Sequence, residues 1–321
     1  MLDEVKPPSL RSRLRRVLAG FVAATVLASA LPTGADEAAG ADTAGLETLW
    51  ESLWHQSGTP TRLVRWEEPV RWRLSGRNLP AHRDIVQRAL TAVGQAAGVP
   101  VTEAGEGERV NLRIEIVANN ALEDRQPCVT NLDFQTETRI DAARVQMRER
   151  DVTRCAHHEA MHVMGVRGHP AGHTVLSYFP IKVDGLLPLD RALLRAWYSP
   201  RMHPGMTPFE ALPVLASEWQ ALQADPNQAA LARDRFFART VAEMRAYAEG
   251  KGDVPAIVRR SGKATEDGVR AGRGEMSYFL GVAYLEGVTV GTPDRQAALQ
   301  WLERSASAGN RPAQARLGAM R

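Results

Sequence analysis

The chain has 321 residues, 44% hydrophobic and 24% charged, with a formal net charge of +3. That is a globular composition long enough for roughly two domains, not a disordered or fibrous one. The charge argues against a nucleic-acid partner: Lys6, Arg11, Arg13, Arg15 and Arg16 against Asp3 and Glu4 account for the whole excess, so the chain beyond residue 30 is near neutral.

The first element is a targeting segment. Arg11 to Arg16 precede an apolar run from Val17 to Leu31, followed by Pro32 and small residues. This reads as a signal peptide over residues 1–30, with a positive n-region, an h-region and an Ala28-Ser29-Ala30 cleavage motif. Ala35 is a second cleavage point, and an uncleaved anchor is a further reading, although the run is short for a membrane span. No later stretch is long and apolar enough to cross a bilayer, so no membrane contact is expected beyond this segment. The expected location is outside the cytoplasm, periplasmic or secreted.

Residues 31–64 are rich in Ala, Gly and Thr, with one helical patch near Leu46–Trp54, and read as a linker or docking arm. Trp50, Trp54, Trp66 and Trp72 cluster around the first strand and read as core or arm-docking residues. Val70 to Leu74 alternates apolar and polar side chains, the pattern of a half-buried strand. Ala81 to Ala97 places Ile85, Val86, Ala89, Leu90, Val93 and Ala97 at helical spacing and stops at Gly98 and Pro100. Val110 to Val117 alternates again, and Ile140 and Val145 are expected in further strands.

Five of the eight histidines then fall between His157 and His173. Within that stretch His158-Glu159-Ala160-Met161-His162 spells H-E-x-x-H. Side chains four apart stand one above the other on a helix, so His158 and His162 can turn imidazole nitrogens to one metal ion. Glu159 lies beside them, where a carboxylate can take a proton from water. Gly165 can adopt positive φ, end the helix and turn the chain back toward the ligands. Three readings follow for a third ligand: His169, His173 in the same loop, or a site of two histidines only. His157 falls on another helix face and is expected at the surface. His55, His82 and His203 have no partner in sequence and default to structural roles.

Cys128 and Cys155 are the two cysteines. In an exported protein an even pair suggests a disulfide, here closing a loop of roughly 28 residues and contributing on the order of 3 kcal/mol. The rival reading makes Cys155 a thiolate ligand, three residues before His158.

The stretch from His158 resembles the metzincin signature H-E-x-x-H-x-x-G-x-x-H of zinc metallopeptidases. The family's third histidine would fall at Gly168, so His169 comes one residue late, and a flexible Gly168 can absorb the shift. Metzincins also carry a tight turn below the zinc. Thr174-Val175-Leu176-Ser177-Tyr178 stands in that place, with Leu176 where the family has methionine. The helix pattern from Asp190 to Tyr198 is similar to the one that closes such domains, and the resemblance spans about residues 65–205. It implies an α+β domain: a mixed twisted sheet with a backing helix and an active-site helix. It also implies zinc on His158, His162 and His169, Glu159 as general base, Tyr178 beside the oxyanion, and a peptide or protein substrate. The same fold is similar to secreted domains whose helix has lost its histidines, so a non-catalytic metal-binding module is the rival class.

The C-terminal part differs. Residues 206–265 read as a helical connecting region. Within 266–321, Leu280-Gly281 to Gly287 and Asp294 to Gly309 resemble the Sel-one-like repeat, a tetratricopeptide relative. Ala271-Gly272 and Leu280-Gly281 recur as Ala308-Gly309 and Leu317-Gly318. One full unit cannot bury its own core, so it is expected to pack on helices within 208–262 through Tyr278, Tyr284 and Trp301. The resemblance also implies a protein partner at the repeat.

Overall fold

The computed structural model describes residues 43–55, 59–177, 185–260 and 265–320. The expected signal peptide and its cleavage points lie outside these residues, as does Tyr178. Among the described residues no helix is long and apolar enough to cross a membrane.

The fold is mixed α and β. Helix α1 (Ala44–Ser52) precedes strand β1 (Val70–Gly76), helix α2 (Leu79–Ala97), β2 (Val101–Glu103), β3 (Leu112–Val117), β4 (Cys128–Phe134) and β5 (Ile140–Arg148). A 3-10 turn (Glu149–Asp151) leads into helix α3 (Val152–Val163). Among the described residues seven further helices follow: α4 (Pro188–Trp197), α5 (Pro208–Gln220), α6 (Pro226–Glu249), α7 (Ala256–Arg260), α8 (Glu266–Glu286), α9 (Arg295–Ser307) and α10 (Arg311–Met320).

The strands form one five-stranded sheet in the order β2-β1-β3-β5-β4. β2, β1, β3 and β5 run parallel, and β4 returns antiparallel along β5 at the edge. The alternation seen in sequence has its physical cause here. Val70, Trp72 and Leu74 of β1 and Leu112, Ile114 and Ile116 of β3 are all buried, while their neighbours Arg73, Arg113 and Glu115 face out. Ile140 and Val145 lie in one strand, β5, not in two. Helix α2 buries Val86, Leu90 and Val93, stops at Gly98 and packs on α3, the histidine-bearing helix.

Local signals explain the helical region. Thr207 and Glu210 form a capping box at the start of α5: the Glu210 N–H donates to Thr207 Oγ1 (3.3 Å) and the Thr207 N–H to Glu210 Oε2 (2.6 Å). Asp225, Thr265 and Asp294 cap α6, α8 and α9 with the side chain alone, which accepts from backbone N–H groups of the first turn. Helices α8 and α9 form a hairpin, and α8 packs on α5 and α6. Trp301 is buried in the main core, with Tyr278 and Tyr284 packed against it.

Helix α1 is more than an arm. Leu46, Leu49, Leu53 and Trp54 are at most 1% exposed. Trp50 packs on Phe209 of α5 (ring centroids 5.4 Å) and Trp54 on Tyr247 of α6 (6.4 Å). One apolar cluster therefore runs from α1 through the sheet and on to the helices after residue 205. At roughly 1.5–3 kcal/mol per fully buried large apolar side chain, α1 is among the stronger contributors to the fold.

Candidate metal centre

The centre is built where α3 ends. His158 and His162 lie one turn apart on α3, and the chain after Gly165 brings His169 back to them. Their three Nε2 atoms stand 3.1 Å from one another in each pair. This is the one group of three or more metal-ligating side chains among the described residues, and it could hold a metal ion. His173 is not part of it and is exposed.

The other ring nitrogens explain why a cation fits. His158 Nδ1 lies 2.9 Å from the Val175 carbonyl oxygen, and His162 Nδ1 lies 2.6 Å from that of Val166. A carbonyl only accepts, so both Nδ1 atoms carry the proton and donate it. In the neutral imidazole Nε2 is then a bare lone pair. Lone pairs facing each other at such a distance repel unless a positive charge sits between them. With zinc–imidazole bonds of about 2.0–2.1 Å, one ion reaches all three nitrogens. Burial also holds the His158 and His162 rings neutral. It lowers the His158 pKa, and together with the neighbouring His158 it pushes His162 down to about 3.

The turn is held from several sides. Gly165 has φ +93°, and a Cβ there would lie 2.2 Å from the Val64 carbonyl oxygen, so only glycine fits. Trp66 Nε1–H donates to the Val163 carbonyl (2.7 Å) and Tyr198 O–H to that of Met164 (3.0 Å), satisfying the last carbonyls of the helix. The role of Gly168 differs from the flexibility expected of it. Its φ is ordinary, but a Cβ would lie 2.5 Å from the Glu51 carbonyl oxygen and 2.8 Å from that of Trp54. Glycine is needed there so that the loop can lie against α1.

Below the histidines, Leu176 is fully buried in the Thr174–Ser177 turn. The turn is tied to α4 by Asp190, which is 1% exposed. Its carboxylate accepts from the Thr174 hydroxyl, the Val175 N–H (3.3 Å) and the Leu187 N–H (2.9 Å). Burial raises the Asp190 pKa, and these three donors oppose the rise. Asp190 thus holds the residue whose carbonyl orients His158, a support that sequence spacing does not signal.

Glu159 is 3% exposed, and its Oε2 accepts from Thr130 Oγ1 of β4 at 2.5 Å. Burial pushes its pKa up to about 7, partly offset by that hydrogen bond. A carboxyl poised near neutrality can both take and return a proton. Cys128 and Cys155 form a disulfide with Cα atoms 6.2 Å apart, which joins β4 to α3, and no free cysteine remains among the described residues. Cys155 is therefore not a thiolate ligand.

His157 is not at the surface. It is 7% exposed, at the base of an open surface pocket that Arg88 and Gln95 of α2 and Arg191 of α4 also line. The helices that cover it are distant in sequence, which is why its spacing on α3 alone misplaces it. Sequence reasoning also set His55 aside, yet it lies close enough to His162 to help lower its pKa. Comparison with protein-family models, with curated proteins and with solved structures gives no match, so any functional reading rests on the residues described above.

Proposed function

We propose that the protein is an exported zinc-dependent peptidase of metzincin type. The observation that carries the reading is the convergence of three Nε2 atoms from His158, His162 and His169 beside a buried carboxyl, Glu159. His158, His162 and His169 would hold the ion, and an all-imidazole set favours a borderline ion such as zinc. The bound ion would supply Lewis acidity and lower the pKa of water.

The chain's own groups do the rest. Glu159 Oε takes the proton of the attacking water and returns it to the amine nitrogen that leaves. Thr130 orients that carboxyl through its hydroxyl. Strand β4 lies at the sheet edge with its outer side unpaired among the described residues, so an extended peptide can add to it and pass Glu159. In this reading Tyr178 stabilises the oxyanion. The helical region from α5 to α10 offers further surface for a protein partner.

The test has two parts. Metal content of the purified mature protein should be about one zinc per chain, lost in His158→Ala or His162→Ala. A peptide-library digest should then show cleavage by the wild type and a loss of several orders of magnitude in Glu159→Gln, which keeps the metal but cannot accept the proton. Zinc bound with no cleavage by either protein would turn the reading to a non-catalytic metal-binding module acting with the helical repeat in the cell envelope. Equal cleavage by both would mean that Glu159 is not the base.

A further inference from the structure

His169 is the one member of the triad not held by α3, and its loop is braced by a helix from the far end of the chain. Two sites on either side of it touch α1. A Cβ on Gly168 would meet the backbone of Glu51, Ser52 and Trp54, and one on Gly172 would fall 1.7 Å from Thr48 Oγ1. Between them the Ala171 N–H donates to Glu51 Oε2 at 2.8 Å. The other oxygen of the same carboxylate, Oε1, accepts from Arg260 of α7. The Glu51 side chain is only 15% exposed. One half-buried carboxylate thus joins the loop that carries His169, α1 and the helices that follow the sheet. A second pair, Arg239 with Glu47 (2.7 Å), fastens α1 to α6.

We propose that Glu51 is a positioning residue for the metal centre, and that through it the C-terminal helical region sets the placement of His169. Without the Ala171 hydrogen bond, the loop loses its polar anchor on α1. His158 and His162 keep their own supports at Val175 and Val166. The effect should therefore fall chiefly on the loop that carries His169. The inference rests on the reading of the three histidines as metal ligands.

The test is zinc affinity of the full chain, measured by competition with a chromophoric chelator, with zinc-free stability measured in parallel. Glu51→Ala should weaken zinc binding roughly tenfold or more, in the range for groups that orient a ligand. Glu51→Gln should fall between it and the wild type, because the amide oxygen still accepts from Ala171 but no longer pairs with Arg260. Arg260→Ala should act in the same direction. In a His169→Ala background Glu51→Ala should add no further loss, since positioning an absent ligand has no effect. Unchanged affinity in Glu51→Ala, or the same loss in both backgrounds, overturns the proposal. If Glu51→Ala fails to fold, Glu51→Gln and Arg260→Ala carry the same comparison. A wild type that binds no zinc overturns the metal reading itself, whereas zinc-binding wild type with indifferent variants removes the Glu51 role alone.

Discussion

At the scale of single residues, the centre depends on a few side chains that cannot be exchanged. Gly165→Ala forces an L side chain to φ +93° and into the Val64 carbonyl. It should cost about 1–3 kcal/mol from the backbone alone, with the clash in addition, read by denaturant unfolding. Asp190→Asn keeps one acceptor oxygen but cannot serve all three donors. A loss of about 1–3 kcal/mol is expected, with weaker zinc binding through the loosened Val175 carbonyl. The histidines at 158 and 162 were legible in the sequence because helical spacing fixes their separation. His169 was legible because a glycine turn precedes it. The roles of Asp190, Thr130 and Glu51 at the centre were not, because the partners that matter there (Val175, Glu159 and Ala171) lie 15 or more residues away and no local period encodes such a meeting. His157 failed for the same reason.

At the scale of elements, the strands with strong alternation were readable and the two edge strands, β2 and β4, were not. β4 carries Thr130, Asn131 and Asp133 and is mostly half-buried or exposed, so it lacks the apolar alternation that marks β1 and β3. Its place in the sheet comes from pairing with β5 and from the disulfide to α3. Reducing that disulfide, or changing both cysteines to serine, should cost on the order of 3 kcal/mol and lower Tm. Because β4 also carries Thr130, the same change should loosen the hold on Glu159. A thiol assay of the native protein should find no free thiol, and two titratable thiols would contradict the link.

At the scale of the whole molecule, the apolar core does not stop where the sheet region ends. Trp50, Trp54, Phe209, Tyr247 and Trp301 belong to one cluster. Heat should therefore unfold the chain in a single transition with matching calorimetric and van't Hoff enthalpies. A chain cut after residue 205 should not reach a native state, which a loss of near-ultraviolet circular dichroism would record. Saturating zinc should raise stability by about 2.7 kcal/mol at a hundredfold excess over Kd, and a chelator should remove the gain.

The long reach of α1 also has a consequence for how the protein is made. The pair that seats Glu51 on Arg260 spans 209 residues, and the pair from Glu47 to Arg239 spans 192. A ribosome releases α1 early and its covering helices late. At typical synthesis rates of about 5–20 residues per second, the tryptophan-rich face of α1 stays uncovered for roughly ten seconds or more. During that interval the helix is an adhesive surface that needs shielding by a chaperone. The brace from Arg260 to Glu51, beneath the loop that carries His169, cannot form until residue 260 has emerged, so the seat of that loop is completed late.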